Sequence, residues 1–204
     1  MPVQAVTIAS VVEGHGEVPG LPPLLQRIAR DHSVWDLRTP PPFRRNKGSL
    51  VLPGGIETAV QATAHRVGEV GGVLVLIDAD DDRPGCHGPE LLARARRARS
   101  DVPVSVVLAN KEFEAWFLAG ASSLAGQHGF PADLAPPPKP ESIRDAKGWL
   151  TNQRKTANGQ PYSPTVDQAP LARIFDMKQA RAGAPSFDKF RREVEFLLTA
   201  RRGG

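Results

Sequence analysis

The chain has 204 residues, 40% hydrophobic and 24% charged, with a formal net charge of +4 and one cysteine, Cys86. That balance suits one globular domain with an appendage, or at most two small ones. It excludes a disulfide framework and a multi-cysteine zinc site, and no apolar run nears the roughly 20 residues of a membrane span. The start, Met1-Pro2-Val3-Gln4, has no basic segment before an apolar one, so no signal peptide is expected and a cytoplasmic location is the default.

Residues 3–12 are rich in β-branched side chains and predict a buried strand. The glycine-rich turn Glu13-Gly14-His15-Gly16-Glu17 follows, then a helix over 21–29 with prolines in its first turn. Residues 34–37 fit a short second strand, and the proline-rich, basic stretch 39–53 an exposed loop. A second helix is expected over 56–70, broken by Gly71-Gly72. The apolar run 72–77 reads as a strand ending at Asp78; 81–85 turn, and 89–99 form a helix with its arginines outward. A further strand is expected over 102–108, then a short helix over 112–119 that packs through Phe113, Trp116 and Phe117. Strand–helix alternation predicts an α/β core over 1–120 with a mostly parallel sheet. From 121 to 204, a proline-rich stretch (135–140) and helical patterns near 141–151, 167–181 and 185–200 predict a helical, loop-rich extension packed on that core. Ser186 fits the N-cap of the last helix.

The chemistry is concentrated where apolar runs end: Glu13 and Glu17 after the first, Asp78 and Asp80 to Asp82 after the second, Glu112 and Glu114 after the third. In a parallel α/β sheet those ends share one edge, where ligands bind. Carboxylates gathered there repel one another, and a divalent cation is the simplest thing to hold them. Asp78 and Asp80, two apart on an extended segment, point the same way and can share one ion. Glu17, Glu112 and Glu114 also suit helix starts, where acid residues offset the dipole. Glu112 is expected to face the site, with Glu114 near it. Lys111 can meet a phosphate or neutralise developing charge; a solvated lysine explains it equally. Arg44, Arg45 and Lys47, with Arg94 and Arg97, are candidates for holding a nucleic-acid backbone. The glycine turn fails both the dinucleotide and the Walker A patterns.

A Glu-Gly turn after the first strand, Asp-x-Asp after a later one and a further acidic position resemble the Toprim fold of topoisomerases, primases and OLD-family nucleases. Residues 111–119, Tyr162, 165–171 and 185–190 resemble more closely a family of small, uncharacterised bacterial Toprim-like proteins. The resemblance implies a four-stranded, largely parallel sheet with helices on both faces and Mg2+ or Mn2+ at its edge. It implies that Glu13 acts in acid–base chemistry or metal binding, that Asp78 and Asp80 are metal ligands, that Glu17 is the second acid of the OLD-type turn, and that Glu112 or Glu114 is the later acid. Such proteins are often encoded beside an ABC-type or OLD-like ATPase, and some take part in phage defence. The leading expectation is a metal-dependent nuclease. The alternatives are a non-enzymatic subunit that binds nucleic acid or an ATPase, and a hydrolase of nucleotides or other small phosphoesters.

Overall fold

The computed structural model describes residues 5–82 and 84–203, without the side chain of Cys86. Val3 and Gln4 of the expected first strand, and Arg83 of the expected turn, lie outside the described residues. Four strands form one parallel sheet in the order β2-β1-β3-β4. They are β1 (Val6–Val12), β2 (Phe43–Arg44), β3 (Val70–Asp78) and β4 (Val104–Ala109). The three long strands are apolar and lie inside because both sheet faces are covered. Alternation sends Ile8, Val12, Leu74, Leu76 and Val107 to one face and Ala9, Val11, Val73, Val75, Ile77 and Val106 to the other.

The second face packs on α2 (Lys47–Val51), α3 (Gly55–Ala64) and α4 (Pro84–Ala98). The first packs on α1 (Glu17–Asp31), α5 (Ala115–Ala119) and the C-terminal helices: α6 (Ala146–Thr156), α7 (Pro164–Ile174), α8 (Met177–Gly183) and α9 (Pro185–Thr199). The fold is therefore α/β with a helical C-terminal part. Its last helix, α9, lies directly on β1, β3 and β4. Trp116, Phe117, Phe175, Phe187 and Phe190 form one buried aromatic cluster across residue 120. Among the described residues, no helix is long and apolar enough to cross a membrane.

Several local expectations are corrected. Residues 34–37 form no strand, and Trp35 is 75% exposed. The chain instead touches β1 at Arg38 and again at Phe43–Arg44, with Pro40-Pro41-Pro42, which lacks N–H donors, between the two contacts. Within the expected loop 39–53, α2 forms because the Asn46 side chain accepts the Ser49 N–H at 2.8 Å. Helix α1 starts four residues earlier than its prolines suggest, so Pro22 and Pro23 lie inside it and deprive the Val18 and Pro19 carbonyls of helical partners. Helix α3 stops at Ala64, and Gly71 belongs to β3. Gly71 has φ +120°, and a Cβ there would overlap the Thr7 carbonyl, so only glycine lets β3 lie beside β1 at that point. Ala184, not Ser186, caps α9. The Ser186 hydroxyl accepts Trp116 Nε1–H at 2.8 Å and donates to Glu141, fixing the buried indole.

Candidate functional site

The C-terminal strand ends open on a cleft of about 390 Å3 lined by Glu13, Gly14, His15, Gly16, Glu17, Asp78, Asp80, Glu112 and Lys147, and by Pro164 and Thr165. Glu13 follows β1 directly. Its Oε2 accepts the Asp78 N–H at 3.2 Å, so a side chain ties the tips of two neighbouring strands. The Gly14 N–H donates to the Glu17 carboxylate, folding the turn back onto the start of α1.

Asp78 Oδ1 accepts the Phe113 N–H at 2.8 Å, which pins the turn after β4 against the tip of β3. That turn carries Glu112 and Glu114. Glu114 is fully buried; its Oε1 accepts from Gln168 Nε2 at 2.7 Å and from the Tyr162 hydroxyl at 3.0 Å. Its Oε2 makes no hydrogen bond but lies 3.2 Å from Lys147 Nζ. Gln168 Nε2 also donates to Glu17 Oε1 at 3.2 Å, joining two buried carboxylates. Gly16 makes this possible, since a Cβ there would lie 2.7 Å from the Gln168 amide. Glu112 Oε2 accepts the N–H groups of Ala146 and Lys147 at 2.8 and 3.2 Å, the unpaired donors at the start of α6. Its Oε1 meets Lys147 Nζ at 2.8 Å. Lys147 Nζ stands 3.9 Å from Asp78 Oδ2, so one ammonium faces three carboxylates.

The charge is unbalanced, and proton affinities record it. Burial raises the Asp78 pKa well above the ordinary aspartate value; Glu17, Glu114 and Glu13 add to the rise and Lys147 opposes it. Burial likewise raises Glu17 and Glu13, against the backbone N–H groups that each accepts. Burial disfavours the Lys147 ammonium, yet Glu114, Asp78 and Glu112 outweigh it and hold its pKa above that of a free lysine. The Tyr162 hydroxyl is pushed well up by burial and by Glu114, so it stays protonated as a donor.

A family model described as a domain of unknown function, DUF4276, matches residues 12–195. The chain belongs to the DUF4276 family. No curated protein and no solved structure matches it. The matched range runs from before Glu13 to beyond Gln168, so the DUF4276 unit includes the whole carboxylate group together with the C-terminal residues that hold it.

Among the described residues of this DUF4276 chain, no three His, Cys, Asp or Glu side chains are arranged to hold a metal ion. The donors nonetheless fit a hard divalent cation in kind. They are carboxylate oxygens, they outnumber the one ammonium among them, and the raised Glu13, Glu17 and Asp78 favour a compensating positive charge.

The structure brings Glu13, Glu17, Asp78, Glu112 and Glu114 into one group. Glu112 lines the cleft and Glu114 is buried near it, as expected, and both reach Lys147. Asp80 departs from the expected extended geometry. Its φ is +51°, and its carboxylate pairs with Lys47 at 2.9 Å on the rim. Lys47 is engaged by Asp80, Asp82 and the Ala79 carbonyl. Lys111, at φ +65°, pairs with Asp81 beside Arg144. Arg44 is exposed and donates to the Glu13 carbonyl at 3.3 Å, and Arg45 is bound to the Val12 carbonyl through its backbone. Arg94 forks onto Glu57 at 2.8 and 3.0 Å and caps the carbonyls of Val51 and Leu52, while Arg97 is exposed on α4. Sequence reasoning missed Lys147 and Gln168, and gave Tyr162 no role at the site.

Proposed function

We propose that this DUF4276 chain is a Toprim-type, Mg2+- or Mn2+-dependent hydrolase of phosphodiester bonds that acts on nucleic acid. The observation that carries the reading is the excess of buried carboxylate over ammonium where β1, β3 and β4 end. Glu13 and Asp78, with Glu17 behind them and Asp80 at the rim, would hold the ion. The chemistry such an ion supplies when bound is polarisation of a phosphoryl oxygen and a lowered pKa for an attacking water. The chain's own residues then divide the work. Glu13, whose pKa burial raises, is placed at the cleft to take and return a proton. Lys147 keeps Glu112, Glu114 and Asp78 in place by facing all three. Gln168 and Tyr162 hold the Glu114 carboxylate in position by donating to it. The Toprim resemblance alone adds a separate ATPase partner and a role in phage defence.

A second reading, hydrolysis of a small phosphoester at the same cleft, is favoured by two observations. The cleft volume of about 390 Å3 is that of a small-molecule pocket. The cations around the acidic loop, Lys47, Lys111 and Arg144, are already paired with Asp80, Asp81 and Asp82.

The test is incubation with plasmid, single-stranded DNA, tRNA and a chromogenic phosphodiester, in Mg2+, Mn2+ or EDTA. Cleavage is expected with either ion, none in EDTA, and a loss of at least about 100-fold in Asp78→Asn. Turnover of the chromogenic ester without polymer cleavage selects the second reading. No turnover of any substrate, or full activity in Asp78→Asn, sinks both.

A further inference from the structure

At the sheet edge opposite the cleft, the starts of β3 and β4 meet the ends of α4 and α9. β3 has nine residues, so the two edges lie roughly 30 Å apart. A groove of about 690 Å3 lies here, with Val102, Pro103 and Val104 between arginines from two distant segments. Arg96 and Arg99 come from the end of α4, Arg201 and Arg202 from the C-terminal tail. The tail is held down: the Gly71 N–H donates to Ala200 O at 2.9 Å, Arg202 N–H to Glu69 O at 2.9 Å and Gly203 N–H to Asp101 O at 3.0 Å.

Asp101 orders two of the guanidinia. Arg99 meets it through Nε and Nη2 at 2.7 and 2.8 Å, and Arg202 through the same two atoms at 3.0 and 2.6 Å. Each keeps its Nη1 as a donor in a fixed position. Arg96 uses only Nε, on the Val104 carbonyl at 3.3 Å, and keeps both Nη groups. Arg96, Arg99 and Arg201 thus line the groove, and Arg202 joins Arg99 on Asp101; Glu193, near Arg96, is already bonded to Ser105 and Lys189. Arginines in a last helical turn offset the helix dipole. That accounts for Arg96, but not for two more on the tail, nor for Phe196, which lines the groove with its ring 48% exposed.

We propose that this groove binds a segment of single-stranded nucleic acid, with guanidinia on successive phosphates and Phe196 against a base. Guanidinium N–H groups held in place suit phosphate oxygens, and an aromatic beside a basic groove is how single strands are held without sequence preference. Polymer anchored here lies outside the cleft, so the groove holds a flanking stretch of the chain being cut. In that respect the inference rests on the nucleic-acid reading above, but binding can be measured without catalysis.

The experiment is fluorescence anisotropy with a labelled oligothymidylate in EDTA over a potassium chloride series. It compares the full chain with Arg96→Ala, Arg201→Ala, Phe196→Ala and, as an exposed cation elsewhere, Lys178→Ala. Each arginine variant is expected to weaken binding several-fold and to lower the log–log salt slope by about 0.7. Phe196→Ala is expected to weaken it at least about 5-fold with the slope unchanged, and Lys178→Ala to bind as wild type. Circular dichroism confirms that each variant is folded. The proposal is overturned if the oligonucleotide does not bind, if the variants bind like Lys178→Ala, or if polyglutamate of equal charge competes as well as unlabelled oligonucleotide. Normal binding without cleavage in Mg2+ would sink the catalytic reading of the cleft alone; cleavage with unaltered binding in these variants would sink the groove alone.

Discussion

Lys147→Met removes the one ammonium facing Asp78, Glu112 and Glu114 and replaces it with a residue of similar length and helix propensity. Deleting one partner of a fully buried pair costs about 3–5 kcal/mol. Lys147 is 36% exposed, so water screens the carboxylates it leaves behind, and a loss of about 2 kcal/mol is expected. In a chain of this size, Tm then falls by about 4–8 °C. The loss depends on pH. Asp78, Glu13 and Glu17 have folded-state pKa values above the unfolded ones, and Lys147 opposes the rise at Asp78. Carboxyls of this kind bind more protons folded than unfolded, so stability falls as pH climbs from the unfolded value near 4 through the folded one. Without the lysine the folded values of Asp78 and Glu17 rise further. The Tm deficit is therefore widest near about pH 8 and shrinks towards about pH 5. Calorimetry in EDTA across that range measures it. Added Mn2+ is expected to restore more stability to the variant than to wild type, since a bound ion takes over the missing charge. A deficit below about 1 °C at the alkaline end, or one that grows on acidification, would refute the reasoning.

Gln168→Ala removes two donations to buried carboxylates and should cost about 2–3 kcal/mol in urea unfolding; Gln168→Glu should cost more above neutrality, by adding a further carboxylate. Gly71→Ala forces φ +120° on an L-residue against the Thr7 backbone, and a loss of at least about 3 kcal/mol or failure to fold is expected, whereas Gly85→Ala, with no atom within 4 Å of the added carbon, should stay within about 1 kcal/mol of wild type. Arg94→Ala breaks the fork onto Glu57 and uncaps α2, so it should lower stability by about 1–2 kcal/mol while leaving oligonucleotide affinity unchanged.

The long strands were legible because a buried parallel strand needs an uninterrupted apolar run, and β1, β3 and β4 each have one. Their acidic tips followed from the same pattern. β2 was not legible: two residues carry no periodicity, and its pairing depends on β1 already being in place. The arginines of 94–99 looked alike in sequence. Only the fold separates Arg94, spent on Glu57, from Arg96 and Arg99, which meet a tail a hundred positions away. Lys147 and Gln168 had no local signal, since each stands among other polar residues of its helix. Their meaning arises where α6 and α7 reach the sheet edge. Asp80 misled because Asp-x-Asp suggests an extended segment, and a left-handed residue turns its carboxylate towards Lys47.

The packing of α9 on β1, β3 and β4 also sets the timing of folding. Ile8, Leu74, Leu76 and Val107 belong to a cluster completed by Phe187, Phe190, Val194 and Leu197. Until residues 185–199 pack, that face of the sheet has only part of its cover, from α1 and from α5 to α8. Contacts so far apart in sequence form slowly, and a strand face left open in the meantime invites association with other chains. Lys147 and Gln168 also lie far along the chain from Glu17 and Asp78, so the carboxylates at the strand tips stay uncompensated until α6 and α7 have docked. Before these helices pack, the chain has neither its finished core nor its finished cleft.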